Sequence, residues 1–210
     1  MIRIQRNKFF LLRLPALLLF FCCISTLPDP PTLNLDALSS PVLLLPETVR
    51  IVISKSQYTL VLFRGERQIK TYRVAFGRGY SDGDKRMLGD KRTPEGEFYI
   101  CTMNRSKRFY KFMGLSYPGM KHAGYALRAG LITQTEYLKI KQAIDAHQQP
   151  PWDTRLGGAV GIHGRVLKDL AVDHSSVGIN WTDGCIALEN ADVDEIFDVV
   201  ALGTPVAIVP

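Results

Sequence analysis

The chain has 210 residues, of which 46% are hydrophobic and 22% charged, and carries a net charge of +6. That is enough apolar material for one domain with a real core, and it excludes collagen-like and broadly disordered chains. Four of the positive charges, Arg3, Arg6, Lys8 and Arg13, fall in the first 25 residues with no acid beside them. The basic balance therefore marks a terminal segment, and the absence of a basic motif argues against a nucleic-acid partner.

Residues 1–25 have the order of an export signal: cations first, then a mostly apolar run over 9–24, then the small residues Cys23 and Ser25 before a cleavage point at Thr26. The apolar run is broken by Arg13 and Pro15. It falls short of the roughly 20 clean residues of a comfortable membrane span. The expectation is an exported protein of the periplasm or cell envelope. Left uncleaved, the segment becomes an inner-membrane anchor and the chain's one contact with the membrane. Residues 26–48, with Pro28, Pro30, Pro31, Pro41 and Pro46, read as an extended linker. Residues 49–210 remain for the folded domain.

From Val49 the pattern is that of strands. Runs over 49–53 and 58–63 are rich in β-branched and aromatic residues, 64–67 reads as a turn, and 68–76 alternates again; two runs so joined predict a hairpin. The stretch 81–96 is polar and rich in glycine and charge, hence a loop, with Thr93-Pro94-Glu95-Gly96 composed like a tight turn. A further strand spans 97–103, and Cys101 within it reads as a buried strand residue. Cys22 and Cys23 belong to the signal, which leaves Cys101 and Cys185 in the mature chain. A disulfide between them would disable Cys185 as a nucleophile.

The middle of the chain is helical. Residues 121–129 predict a short helix ended by Gly130. Thr133-Gln134-Thr135-Glu136 has capping-box spacing, and Tyr137, Ile140 and Ile144 then recur at helical spacing towards His147. A short apolar strand lies at 159–163, and 165–181 stays unassigned. Asn190 or Asp192 caps a helix running to about Leu202, where Gly203 and Pro205 stop it, before a last strand at 206–209. The fold class is therefore β-rich mixed α/β with a helical insertion.

The chemistry concentrates in two places. Cys185 lies in Trp181-Thr182-Asp183-Gly184-Cys185-Ile186-Ala187, entering an apparent helix, and His163 lies 22 positions upstream in Gly161-Ile162-His163-Gly164. A thiolate is the reactive form of cysteine, and an imidazole titrating near pH 6.5 is suited to take its proton. The other histidines read otherwise: His174 as a solvated loop residue, His122 and His147 as surface. Trp152 and Trp181 either shape a cleft or pack, and Arg78, Arg86 and Arg92 are candidates for gripping carboxylates. The mixed set Cys185, His163, Asp173 and His174 matches no structural zinc spacing, so neither metal nor cofactor is expected.

The ordered set His163-Gly164, Thr182-Asp183-Gly184-Cys185, Ile186 and Asn190, preceded by the run Gly89-Asp90-Lys91-Arg92-Thr93-Pro94-Glu95-Gly96, resembles the YkuD-type L,D-transpeptidase family. It is most similar to the YafK-like branch, over roughly 49–210. Two positions depart from the commonest pattern, which has arginine where this chain has Ala187 and often histidine where it has Asp183. The resemblance implies a sandwich-like catalytic domain. It also implies that Cys185 attacks an amide between L and D centres of a peptidoglycan stem peptide, expels the terminal D-alanine and holds the remainder as a thioester. An amine acceptor then gives transpeptidation, and water gives carboxypeptidase or amidase activity, such as release of a wall-attached lipoprotein. A non-catalytic wall-binding module is the third reading.

Within this resemblance each residue has an expected role. His163 is the base, its second nitrogen held by a backbone carbonyl. The N–H groups of Gly184 and Cys185 are candidate oxyanion donors in a loop built with Thr182 and Asp183. Gly164, Arg92, Trp181 and Asn190 are expected near the substrate, with Asn190 bracing the loop or capping the helix.

Overall fold

A computed structural model describes residues 48–106, 108–165 and 180–210. The expected export signal, nearly all of the linker, and both Asp173 and His174 lie outside the described residues.

Eight strands form one curled mixed sheet among the described residues. They are β1 (Val49–Ser54), β2 (Thr59–Arg64), β3 (Arg67–Arg73), β4 (Gly96–Ser106), β5 (Tyr110–Leu115), β6 (Gly161–His163), β7 (Ile186–Ala187) and β8 (Pro205–Val209), in the order β3-β2-β1-β8-β4-β5-β6-β7. The expected hairpin is present as β1, β2 and β3, paired antiparallel in succession. Period-two alternation sends Ile51, Ile53, Leu60 and Leu62 to the core, each at most 4% exposed. The last strand, β8, returns to pair parallel with β1 and antiparallel with β4.

The 11-residue β4 makes the sheet sandwich-like. Its first part pairs with β8, from Gly96 opposite Ile208 to Tyr99 opposite Pro205. Beyond an irregularity between Ile100 and Thr102 it pairs with β5. Cys101 is the extra residue at this bulge, which explains why it is half-buried where simple alternation predicted a buried position. Burial pushes its thiol up to about 11, and both Cys101 and Cys185 are free. The open edge is closed from the far side, where Ala75 bridges to Ala187 and Gly77 to Thr182.

Two helices, α1 (Met120–Arg128) and α2 (Gln134–Asp145), form the insertion between β5 and β6. They pack on their own small core of Ala123, Ala126, Ile132, Ile140 and Leu156. The capping box that opens α2 is fully formed: Thr133 Oγ1 accepts from the Glu136 N–H at 3.2 Å, and the Glu136 carboxylate accepts from the Thr133 N–H at 2.7 Å. The third helix, α3 (Asn190–Phe197), buries Val193 and Ile196.

Several expectations change. The strand β5 has no counterpart in the sequence reading, because the turn before it lacks glycine, proline and asparagine. It is built instead by Ser106 Oγ accepting from the Arg108 and Phe109 N–H groups at 3.1 and 3.0 Å. Thr93–Gly96 is extended and no tight turn, because Thr93 Oγ1 holds the Gly77 N–H and Asp84 holds the Glu95 N–H. Glu189 stands at the N-cap of α3, and the helix ends at Phe197, short of Leu202. His122 is 3% exposed, a buried residue and not a surface one. Its ring stacks on Phe98 at 5.8 Å, and its Nε2 lies 3.0 Å from Asp84. His147 is exposed, stacked on Tyr99 at 4.9 Å.

Candidate active site

The strand pairing itself joins the two candidate residues. β6 and β7 run parallel, with Ile162 opposite Ile186 and His163 opposite Ala187. Both isoleucines are fully buried, so the register is fixed by the core. Cys185 immediately precedes β7, which puts it beside Gly161, at the start of the short strand that His163 ends. The element that follows the cysteine is this short strand, not the helix its sequence suggested. Both side chains line one cavity of about 640 Å³.

His163 is 1% exposed. Its Nδ1 lies 2.7 Å from the Gly164 carbonyl oxygen. A carbonyl only accepts, so Nδ1 carries the proton and Nε2 keeps its lone pair. The ring lies against Phe109 at 4.3 Å and meets the edge of Trp181 at 5.7 Å. Desolvation in this setting pulls the imidazole down to about 4, partly opposed by the Gly164 carbonyl and assisted by the positive charge of Arg108. At neutral pH the histidine is therefore an uncharged base.

Cys185 is half-buried. Burial pushes its thiol up to about 11, while the Gly161 backbone, Lys85 and Arg108 pull the other way. Its Sγ donates to the Ala159 carbonyl at 3.6 Å. Ala159 has a φ of 52°, in the left-handed region that a side chain seldom enters. The resting pair is thus a neutral thiol and a neutral imidazole, so an attack by this sulfur would require proton transfer.

The loop before Cys185 is pinned by Thr182. Its hydroxyl donates to the Cys185 carbonyl at 2.8 Å and accepts from the Gly184 N–H at 3.1 Å. Of the two expected oxyanion donors, the Gly184 N–H is therefore already engaged. The Cys185 N–H has no acceptor among the described residues. Gly184 has a φ of +133°, and a Cβ there would lie 2.7 Å from the Arg92 carbonyl. Only glycine fits that close approach. Asp183 is exposed at the cavity mouth and ion-paired with Arg78.

The remaining predicted residues separate. Trp181 lines the cavity. Asn190 does not cap α3; its Oδ1 accepts from the Arg165 N–H at 2.8 Å and so braces the segment after His163. Gly164 belongs to the same brace, since a Cβ there would lie 2.4 Å from Asn190 Oδ1. Arg92 does not line the cavity: its guanidinium donates to the Asp84 carbonyl at 3.4 Å, and its own carbonyl backs Gly184. Arg86 lies over Tyr125, and Trp152 packs against Gly158 and Gly114.

Sequence reading missed Lys85, Arg108 and Phe109. Lys85 is 4% exposed, pairs with Asp90 at 2.7 Å, and holds its Nζ 3.7 Å from where a Gly184 Cβ would stand. Its signal was weak, one lysine in a charged loop. Phe109 and Arg108 come from the turn before β5, which had no sequence signal at all.

The sequence model of the YkuD family, the L,D-transpeptidase catalytic domain, matches residues 48–208. The chain belongs to that family. The YkuD protein of Bacillus licheniformis is 28% identical over 167 residues, covering 79% of this chain and 69% of the relative. Among solved structures, a variant of the helical cell shape determining protein Pgp2 from Campylobacter jejuni shares the fold, with a TM-score of 0.52 and 19% identity over 78% of this chain. An L,D-transpeptidase from Mycobacterium smegmatis aligns over 78% of this chain at 11% identity and a TM-score of 0.46. The chain spans 47% and 59% of those two chains, respectively. The L,D-transpeptidase domain here is thus β-rich, with its helical insertion between β5 and β6.

Proposed function

We propose that this protein is an exported L,D-transpeptidase of the cell envelope that acts on peptidoglycan stem peptides through a thioester on Cys185. Membership of the L,D-transpeptidase family supports the reaction class. The observation that carries the residue assignment is the shared cavity, in which Cys185 stands with a histidine whose Nε2 is unprotonated and whose Nδ1 is held by Gly164.

The chemistry follows from those protonation states. His163 Nε2 takes the thiol proton as Sγ bonds to the scissile carbonyl carbon. The oxyanion is met by the Cys185 N–H. The C–N bond breaks, the leaving amine takes the proton from His163, and the acyl group remains on sulfur. An acceptor amine then attacks the thioester, gives a proton to His163, and releases the thiol. No metal or cofactor is required by this sequence.

Muropeptide analysis of cells expressing the full chain, with and without Cys185→Ala, tests the proposal. New cross-links or newly attached lipoprotein that vanish in the variant support transfer. Loss of cross-links, or release of attached protein, makes the same site hydrolytic. A phenotype that survives Cys185→Ala makes the domain a wall-binding module and defeats the proposal.

A further inference from the structure

The cavity is strongly basic. Four cations line it, Arg78, Lys85, Lys91 and Arg108, against the single acid Asp183. Three of the four stand on the nucleophile side. Arg78 is ion-paired with Asp183, and Lys85 with Asp90 beside Gly184. Lys91 belongs to the loop whose carbonyl packs on Gly77, itself against Gly184.

Arg108 stands apart from these three. It has no carboxylate partner among the described residues and is exposed. Its guanidinium lies over the ring of Phe109 at 4.7 Å, and that ring lies on His163 at 4.3 Å. The stack Arg108–Phe109–His163 sets a cation on the base side of the cavity. Ala187, opposite His163 on the neighbouring strand, is small, uncharged and 4% exposed, so β7 offers no competing charge there.

Geometry links that cation to one part of a peptide substrate. His163 must donate a proton to the leaving amine, so the nitrogen of the departing residue sits at the imidazole. In an α-amino acid the amine and the carboxylate are separated by one carbon. A terminal carboxylate therefore falls on the His163 side, away from Cys185. We infer that Arg108 binds the free α-carboxylate of the departing residue, making this a site that reads the C-terminal end of its acyl donor. A guanidinium backed by an aromatic face is well suited to a bidentate grip on a carboxylate.

This inference rests on the acyl-transfer reading of the site. It predicts exo-specificity: a donor ending in a free acid is used, and the same donor ending in an amide is used poorly.

The test uses the purified protein with two synthetic stem tetrapeptides ending in D-alanine, one the free acid and one the carboxamide. The wild-type protein should prefer the acid by roughly 10- to 100-fold in kcat/KM, the range expected for a hydrogen bond to a charged group. Arg108→Gln should lower turnover of the acid by that factor relative to the amide, so that the preference is lost, and Arg108→Lys should recover part of the preference. Equal loss on both donors, or no preference in the wild type, overturns the inference. Equilibrium binding of the same two peptides to Cys185→Ala, with and without Arg108→Gln, separates this inference from the acyl-transfer reading. If neither donor is turned over, the acyl-transfer reading fails. Tighter binding of the acid that is lost with Arg108→Gln still supports carboxylate recognition, and equal binding of acid and amide overturns it.

Discussion

On the base side of the cavity, His163 is held from every direction: a core-fixed strand register, a carbonyl on Nδ1, an aromatic ring on its face and another at its edge. On the nucleophile side, Cys185 is held by backbone. Thr182 ties both flanks of Gly184, and the Arg92 carbonyl presses from behind. The proposed base, His163, is positioned by side-chain packing and the proposed nucleophile, Cys185, by chain geometry. A substitution on the first side should therefore act through chemistry and protonation, and one on the second through strain.

The largest contrast is expected from His163→Ala. Removing the base should lower turnover by roughly 10²- to 10⁴-fold. The neutral pair adds a second readout. With the thiol pushed up to about 11 by burial, largely independently of the imidazole, alkylation of Cys185 should climb through the alkaline range in both the wild type and the variant. A wild-type thiol already ionised at neutral pH, and lost from that state in His163→Ala, would replace the neutral pair with an ion pair.

A smaller effect is expected on the nucleophile side from Gly184→Ala. The added Cβ meets the Arg92 carbonyl in a backbone conformation at φ +133°. The strain should cost about 1–3 kcal/mol of stability in denaturant titration. Displacement of the Cys185 N–H should lower kcat by roughly 10²-fold, the effect of losing one oxyanion donor. An unperturbed variant would show that the backbone contacts do not set the nucleophile.

The third effect concerns pH. The imidazole of His163 falls from about 6.5 unfolded to about 4 folded. The unfolded chain therefore binds the proton first. The stabilisation is full above about pH 6.5 and is lost as pH falls towards 4. Between pH 7 and pH 4.5 the wild type should lose about 2–3 kcal/mol more than His163→Gln. Equal losses would mean that the base is not held neutral by burial.

The same division explains what the sequence revealed. The placement of Cys185, Gly184, Thr182 and the His163-Gly164 pair at one cavity was legible because local chain geometry imposes it, and a short ordered motif records it. The capping box of α2 and the hairpin strands were legible for the same reason. Phe109, Arg108 and Lys85 were not, because they reach the site from a serine-built turn and a charged loop whose spacing carries no periodic signal. His122 misled because a histidine beside Lys121 at the start of a short helix looks solvated until Phe98, Tyr117 and Asp84 close around it. Asn190 was legible as a brace, and its partner, the Arg165 N–H, needed the fold to appear.

The central claim is that Cys185 carries the acyl group. Mass spectrometry of the intact protein after brief exposure to a stem tetrapeptide donor tests it most directly. The account predicts a mass increase equal to the donor minus one molecule of free D-alanine, mapped to the peptide containing Cys185 and absent from Cys185→Ala. Turnover of the donor without any such adduct under acid quench, or an adduct that persists in Cys185→Ala, would contradict it.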